Sequence, residues 1–233
     1  MKNLLLVLFA AFSLQACEQK TGSGNVETEQ RKVGSFRAVS VGGSIEVEIR
    51  KGSEPKLTVQ ADDNIIEDIE TTVSGGKLRI EYADGVNISN ANVKILVEAP
   101  ELTAISASAS ADVKLVETWN SSGKVEVKAS SSATVEGAMD APTVEMEASS
   151  SGRIIMKGRT KDVDAQASSA GSIEADELLA ENAKVQASSG ASIRTHASLK
   201  LNAQASSGAS ISYRGNATVS RQESSGGSIR KLD

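Results

Sequence analysis

The sequence is poor in aromatic residues, proline, cysteine and histidine. Aromatic side chains make up 3% of its 233 residues, and proline, cysteine and histidine occur three times, once and once. One cysteine cannot form an intrachain disulfide, and one histidine without a partner at ligand spacing predicts neither a metal site nor a metal cofactor. Because 39% of the residues are apolar, a core can form, but small and aliphatic side chains must fill it.

The chain also lacks a concentrated basic segment. It has 25 Lys and Arg against 30 Asp and Glu, for a net charge of −5, and the two signs are scattered. Nucleic-acid-binding proteins usually gather positive charge on one face or stripe. We therefore expect no nucleic-acid partner.

The N-terminus has the pattern of a secretory signal. A basic start at Lys2 precedes an apolar run from Leu4 to Leu14, which is too short to span a bilayer and ends in LQAC at Cys17. The placement of Cys17 resembles the lipobox of bacterial lipoproteins, although Gln15 stands where a small residue is more usual. We predict a signal peptide over residues 1–16 and lipidation of Cys17. An ordinary signal peptide with an incidental thiol is the alternative.

The segment 17–32 is polar and rich in glycine, with Val26 the one apolar side chain between 18 and 31. Such a segment buries too little surface to offset its ordering entropy. We predict a flexible tether that connects the lipidated N-terminus to a folded domain over residues 33–233.

A heptapeptide of small residues recurs through the second half of the chain. It reads ASSGASI at 187 and again at 205, with variants at 107, 129, 148, 167 and 223. The hydrophobic residues that end successive copies are about 20 residues apart, an interval that indicates a solenoid whose coils contact their neighbours. These terminal residues are Val113, Val135, Ile154, Ile173, Ile193, Ile211 and Ile229.

Apolar and polar residues alternate upstream of each copy, for example from Leu199 to Ala205, which indicates strands with one buried face. Continued alternation would point the second serine of each copy inward, before a corner of Gly or Ala. Arg221 and Glu223 replace inward alanines in the last unit and predict a polar cap at that end. The serines are Ser131, Ser150, Ser169, Ser189, Ser207 and Ser225.

The segment 33–106 differs from the regular coils over 107–233. One further copy of the corner motif is visible at Ser40 to Ile45, and longer alternating runs follow it, joined by turn signals such as SGGK at 74–77. We predict longer, partly antiparallel strands in this N-terminal part.

The order and spacing of these motifs resemble the head GIN domain family of autotransporter adhesins, over about 33 to 233. The family takes its name from a Gly-Ile-Asn triplet at the coil corners, to which this chain corresponds loosely. The resemblance implies an all-β fold, a right-handed single-stranded parallel β-helix with the shape of pectate lyases but without their catalytic residues, and a role in adhesion. It supplies no site residues. The corresponding triplets are Gly43-Ser44-Ile45, Gly171-Ser172-Ile173 and Gly227-Ser228-Ile229.

A left-handed hexapeptide helix is the alternative architecture, because Ile193, Leu199, Ala205 and Ile211 are evenly spaced at every sixth position. The longer intervals earlier in the chain, such as the one from Val113 to Val135, are not multiples of six. They break that period and favour the right-handed form.

Residues with recognisable chemistry are few. His196 has no ligand or catalytic partner in the sequence, and Glu145, Glu147, Asp162 and Asp164 are best explained as part of a charge-mixed, solvated sheet face. No catalytic residue is assigned. Trp119, in a predicted loop, is the one candidate for ligand contact.

Two classes of function fit this pattern. The first is a non-enzymatic lipoprotein of the bacterial envelope, expected at the outer membrane, that binds a protein, a glycan or a second copy of itself. The second is a polysaccharide-active enzyme on a β-helix scaffold. Fold alone does not separate them, but the lack of clustered Lys, Arg and Asp residues favours the first.

Overall fold

The structure is a computed structural model that describes residues 18–233. The predicted signal peptide and Cys17 lie outside the described residues. The described chain is all-β, with 22 strands and one short 3-10 helix at Ile66–Asp68. Among these residues, no helix has the length and apolar character that a membrane crossing requires.

The strands up to residue 99 form the irregular N-terminal part. They are β1 (Glu18–Thr21), β2 (Val26–Arg31), β3 (Ala38–Val41), β4 (Glu46–Lys51), β5 (Lys56–Asp62), β6 (Ile69–Ser74), β7 (Lys77–Tyr82), β8 (Val86–Ser89) and β9 (Val93–Ala99).

The remaining strands form the regular coils. They are β10 (Ala104–Ala107), β11 (Asp112–Leu115), β12 (Trp119–Asn120), β13 (Lys124–Ala129), β14 (Thr134–Ala148), β15 (Arg153–Ala167), β16 (Ser172–Ala175), β17 (Leu178–Ala187), β18 (Ser192–His196), β19 (Lys200–Ala205), β20 (Ser210–Arg214), β21 (Thr218–Glu223) and β22 (Ser228–Lys231).

Successive coils pair in parallel and in register, which confirms the predicted β-solenoid of about seven turns. The first sheet holds β3, β10, β13, the C-terminal halves of β14, β15 and β17, then β19 and β21. The second sheet, after the corner, holds β4, β11, the N-terminal ends of β14 and β15, then β16, β18, β20 and β22. The hand of the solenoid stays a prediction.

The N-terminal part extends both sheets with the predicted longer, partly antiparallel strands. Strand β9 continues the second sheet in parallel beside β4 and pairs antiparallel with β5. Strand β7 lies parallel to β3 and forms an antiparallel hairpin with β6. These antiparallel pairings let the chain return locally, so the first coil is larger than those that follow.

The segment predicted to be a flexible tether contains two strands. Strand β2 pairs antiparallel with β5 over six residues, and β1 pairs in parallel with β8. Arg31 donates to the carbonyl oxygens of Ile66 (2.7 Å) and Ile69. The predicted flexible tether is therefore wrong for this segment. The side chains of β2 are almost all exposed, so the sequence shows no apolar alternation there, and backbone hydrogen bonds to β5 hold this edge strand in place.

The core is a set of side-chain stacks, each built from equivalent positions of successive coils. All seven predicted hydrophobic residues are buried, and they stack in register from Val113 to Ile229. Val47 continues this stack, so the corner copy near residue 40 is real but runs from Val41 to Val47. The hydrophobic residue that ends this copy is Val47, two residues after the Ile45 predicted from the sequence.

The inward assignment of the second serine in each copy is wrong. These serines are exposed and have positive φ angles, between 47° and 54°. In the corner after β13, Ser131 (φ 50°) and Ser132 (φ 64°) are the central residues of a tight turn closed by Ala133 N donating to Ser130 O. Two successive left-handed residues, as in a type I′ turn, end the strand alternation and rotate the serine side chain outward.

The backbone of the second serine joins neighbouring corners. Its carbonyl oxygen accepts from the preceding coil, as in Ser132 N to Ser150 O (3.1 Å) and Gly190 N to Ser207 O (3.0 Å). The residues that enter the core at the corner are the following small ones, such as Ala133 and Ala191.

The C-terminal end is polar, as the sequence predicts. Arg221 and Glu223 lie in register with buried Ala203 and Ala205 but are themselves exposed. The Glu223 carboxylate accepts a hydrogen bond from Ile229 N at 2.6 Å. Leu199, assigned inward from alternation, is 57% exposed because β19 begins one residue later.

The buried stack predicts how a charge affects the last coils. Ile211 is fully buried, so Ile211→Asp removes apolar burial worth about 1.5–3 kcal/mol and adds an unpaired buried charge. We expect the C-terminal coils to unfold, seen as a lower melting temperature and lost hydrogen-exchange protection in β18 to β22. The control is the adjacent exposed Ser210→Asp, which should have little effect; equal effects would contradict the assigned burial.

Two substitutions in the corners should have opposite effects on stability. Gly190 has φ 71° and open space around an added Cβ, so Gly190→Ala should cost about 1 kcal/mol through backbone strain alone. Ala170 is its equivalent one coil earlier, with φ 61°, and Ala170→Gly should raise stability by a similar amount. Chemical denaturation measures both. Ala165→Gly, in a buried strand, should destabilise; if Ala170→Gly does the same, corner strain is not the cause.

Candidate binding surface

The outer face of the first sheet carries two in-register rows of uncharged polar side chains. Glutamines stack as Gln166, Gln186, Gln204 and Gln222 on β15, β17, β19 and β21. Two residues further along each coil, where the strand enters the corner, stand Ser168, Ser188, Ser206 and Ser224.

A groove of about 370 Å³ runs between these rows. Its lining extends over five coils, from Glu147 to Ser224, and the backbone of the alanine column from Ala148 to Ala205 lies along it. The alanine side chains point into the core. Glu147 is the one charged residue that lines the groove, so its walls consist of amides and hydroxyls.

Beside the groove, the same sheet face carries paired charges. Three lysine ammonium groups each form an ion pair with a carboxylate oxygen of the neighbouring coil. The Nζ–O distances are 3.0 Å for Lys128–Glu147, 3.1 Å for Lys124–Glu145 and 3.1 Å for Lys184–Asp164. The hydrogen bond to Glu147 raises the pKa of Lys128. The acidic residues of the predicted charge-mixed face are thus engaged with basic or amide partners in neighbouring coils, with Asn182 donating to Asp162 at 2.9 Å.

The second sheet has a similar charged outer face. Glu174 forms ion pairs with Arg153 one coil before it and Arg194 one coil after it. Asp112 near the first corner differs, because desolvation and the neighbouring charges of Glu46 and Glu136 raise its pKa. In the part of the chain that the structure describes, no group of three His, Cys, Asp or Glu residues is arranged to hold a metal ion.

His196 lies at the end of β18 and is half-buried. Its Nδ1 is 3.3 Å from the carbonyl oxygen of Ala180. It lines a second, more open depression of about 440 Å³ together with Arg159, Lys161 and Glu181. The ring is therefore a histidine at a strand end with a backbone contact, on the edge of an open depression.

Trp119 does not lie in a surface loop. It belongs to the two-residue strand β12, pairs in register with Met139, and is 1% exposed. The Lys51 ammonium lies 5.8 Å from the ring centroid. An indole enclosed in this way fills the core of the first coils and offers no open face to a ligand, unlike the Gln and Ser rows at the surface.

The glutamine row has a signal in the sequence that hydrophobic periodicity does not detect. Gln precedes the small-residue motif in QASSA at 166, QASSG at 186 and 204 and QESSG at 222. An alignment of the repeat on its hydrophobic residues does not reveal this row, because it ignores polar positions that repeat equally well.

The family profile described as "Putative auto-transporter adhesin, head GIN domain" matches residues 35–217. The chain belongs to this family. No curated protein matches it in sequence.

Solved structures share the fold. A "putative adhesin" from Bacteroides fragilis superposes with a TM-score of 0.86 at 19% identity, covering 91% of this chain and all of that one. A "putative lipid binding protein" from Parabacteroides distasonis gives 0.75 at 21% identity, covering 93% of this chain and all of that one. A "putative adhesin" from the same species gives 0.76 at 21%, covering 92% and all of that chain.

Proposed function

We propose that this protein is a non-enzymatic, lipid-anchored binding protein of the bacterial envelope. The observation that carries the proposal is the regular outer face of the solenoid, where polar rows repeat in register over several coils beside an open groove. Such a face presents the same contact many times, which suits adhesion to a repetitive or extended partner. The family's description as adhesins supports this function.

The anchor in this proposal is Cys17. The N-terminal run from Leu4 to Leu14 and the LQAC tetrapeptide support signal cleavage before this residue. A lipoprotein cysteine carries two or three acyl chains, and each buried methylene contributes about 0.8 kcal/mol, so attachment would be effectively permanent. An anchor of this kind places the solenoid at the envelope, with the outer membrane as the proposed location.

Replacing the anchor residue should release the protein. Cys17→Ser should abolish acylation and leave either uncleaved precursor, still held by its apolar N-terminus, or a soluble product, because the sulfur is the site of lipid attachment. Metabolic labelling with a fatty-acid analogue and membrane fractionation measure this outcome. Thr21→Ser is the matched control and should label like the parent protein. Soluble, unlabelled parent protein after signal cleavage would contradict the lipoprotein proposal.

Binding without turnover is the second expectation. The purified mature protein should bind at least one member of a panel of glycans and purified envelope proteins. It should release no reducing ends from polysaccharides, with or without divalent metal, because the carboxylates beside the groove form ion pairs with lysines. A chelator should leave its melting temperature unchanged. Reproducible cleavage would favour the alternative of a polysaccharide-active enzyme.

A further inference from the structure

We propose that the groove between the glutamine and serine rows binds an uncharged, extended polysaccharide chain that runs along the solenoid axis. This inference rests on the proposed binding function and assigns it a site and a ligand class. The glutamine row is Gln166, Gln186, Gln204 and Gln222, and the serine row is Ser168, Ser188, Ser206 and Ser224.

The polar groups of this groove are available to a ligand. Within residues 18–233, Gln166 makes one side-chain hydrogen bond, a long one of 3.5 Å to Asp164, and the side chains of the other three glutamines and the four serines make none. The charged rows beside them are paired between coils. The groove thus gathers a continuous array of amides and hydroxyls that can bond to a ligand.

The chemistry of the walls suits sugar hydroxyls. A primary amide offers two donors and an acceptor oxygen, and a serine hydroxyl both donates and accepts. Four of the five coils that line the groove therefore present one amide and one hydroxyl to a ligand, and each pair can satisfy a sugar hydroxyl that both donates and accepts. With no cationic side chain in the lining, the groove has no counter-charge for an acidic polymer.

The spacing of the rows favours a glycan over a peptide. Successive coils lie about 4.8 Å apart along the axis, which is close to the length of one pyranose unit in an extended glycan. Same-face side chains of an extended peptide recur about every 6.8 Å, two residues of about 3.4 Å each, and would lose register with the rows within two coils. Each unit of a sugar polymer carries hydroxyls on both edges of its ring, so every unit can offer a hydroxyl to the rows whichever edge faces them.

The size of the groove sets the length of chain that it can hold. Five coils contribute to the lining, and four intervals of about 4.8 Å span about 19 Å. This length accommodates a short oligosaccharide of four to five units. Because the lining contains no aromatic ring, binding must come from several weak polar contacts and should strengthen as the oligosaccharide lengthens.

The test is calorimetric titration of the purified mature protein with defined oligosaccharides. Cellohexaose, xylohexaose, mannohexaose and maltohexaose are the neutral probes, hexagalacturonic acid is the acidic probe, and a hexathreonine peptide is the polypeptide probe. We expect at least one neutral hexasaccharide to bind, the corresponding disaccharide to bind more weakly, and the acidic and peptide probes not to bind.

The double variant Gln186→Ala/Gln204→Ala should weaken that binding about tenfold or more, since two amide contacts are lost. Asn202→Ala is the matched control: it removes an exposed amide from the same face of β19, outside the groove lining, and should leave the affinity within about twofold. All variants should melt at the parent temperature, because the substituted side chains are outside the core.

Three results would overturn the assignment. They are the absence of binding by every neutral hexasaccharide, equal affinity of the parent and the double variant, and preferential binding of the acidic or peptide probe. If the double variant still bound envelope components normally, the groove assignment would fail and the general binding function would stand. If the parent protein bound no envelope component and no glycan, the proposed function would fail as well.

Discussion

The structure depends on one constraint: each strand of a coil pairs through backbone hydrogen bonds, in parallel and in register, with the equivalent strands of the neighbouring coils. This in-register parallel pairing extends from Val47 through Val113 to Ile229. It forces like positions to lie on one another, so every choice of side chain is repeated along the axis. Apolar residues therefore form continuous stacks. Charged residues are tolerated in register with them only at the C-terminal end, where Arg221 and Glu223 are exposed to solvent.

The same constraint governs the corners. A coil can turn at the same place in each repeat because two consecutive residues adopt positive φ, which costs an L-residue about 1–2 kcal/mol. The later coils use Gly190, Gly208 and Gly226 at the second of these positions, whereas the earlier ones use Ser or Ala. Backbone hydrogen bonds between corners, such as Gly190 N to Ser207 O, offset part of that strain and keep the turns aligned.

Much of the fold could be predicted from the sequence because its signal is periodic. The recurrence of the corner motif and the apolar alternation identified the coils and the stacked residues Val113 to Ile229 correctly. Alternation failed where the backbone leaves the extended conformation: it placed Ser131 inward although the left-handed turn begins there. It also could not detect β2, an edge strand with almost no buried side chain, which backbone hydrogen bonds stabilise.

The candidate site was harder to predict, because surface function in a solenoid lies in rows rather than in motifs. Trp119 is a rare residue type in this sequence, which makes it a candidate for ligand contact, yet its ring is buried in the core. Gln186 and Gln204 are ordinary residues in isolation. Their significance comes from stacking, which converts one amide per coil into an array with the spacing of the backbone itself.

An array of this kind changes what each contact must contribute. A single neutral hydrogen bond is worth about 0.5–1.5 kcal/mol net, too little for stable attachment. A polymer held by one coil is already positioned for the next, so the remaining contacts form without a further cost of association. The repetition that stabilises the core therefore also gives the outer face the property that adhesion requires, namely many weak and identical contacts on a rigid support. Like charges stacked in this way repel one another, and the row of Arg153, Glu174 and Arg194 avoids this by alternating in sign between coils. The glutamine row that lines the groove avoids it by being neutral.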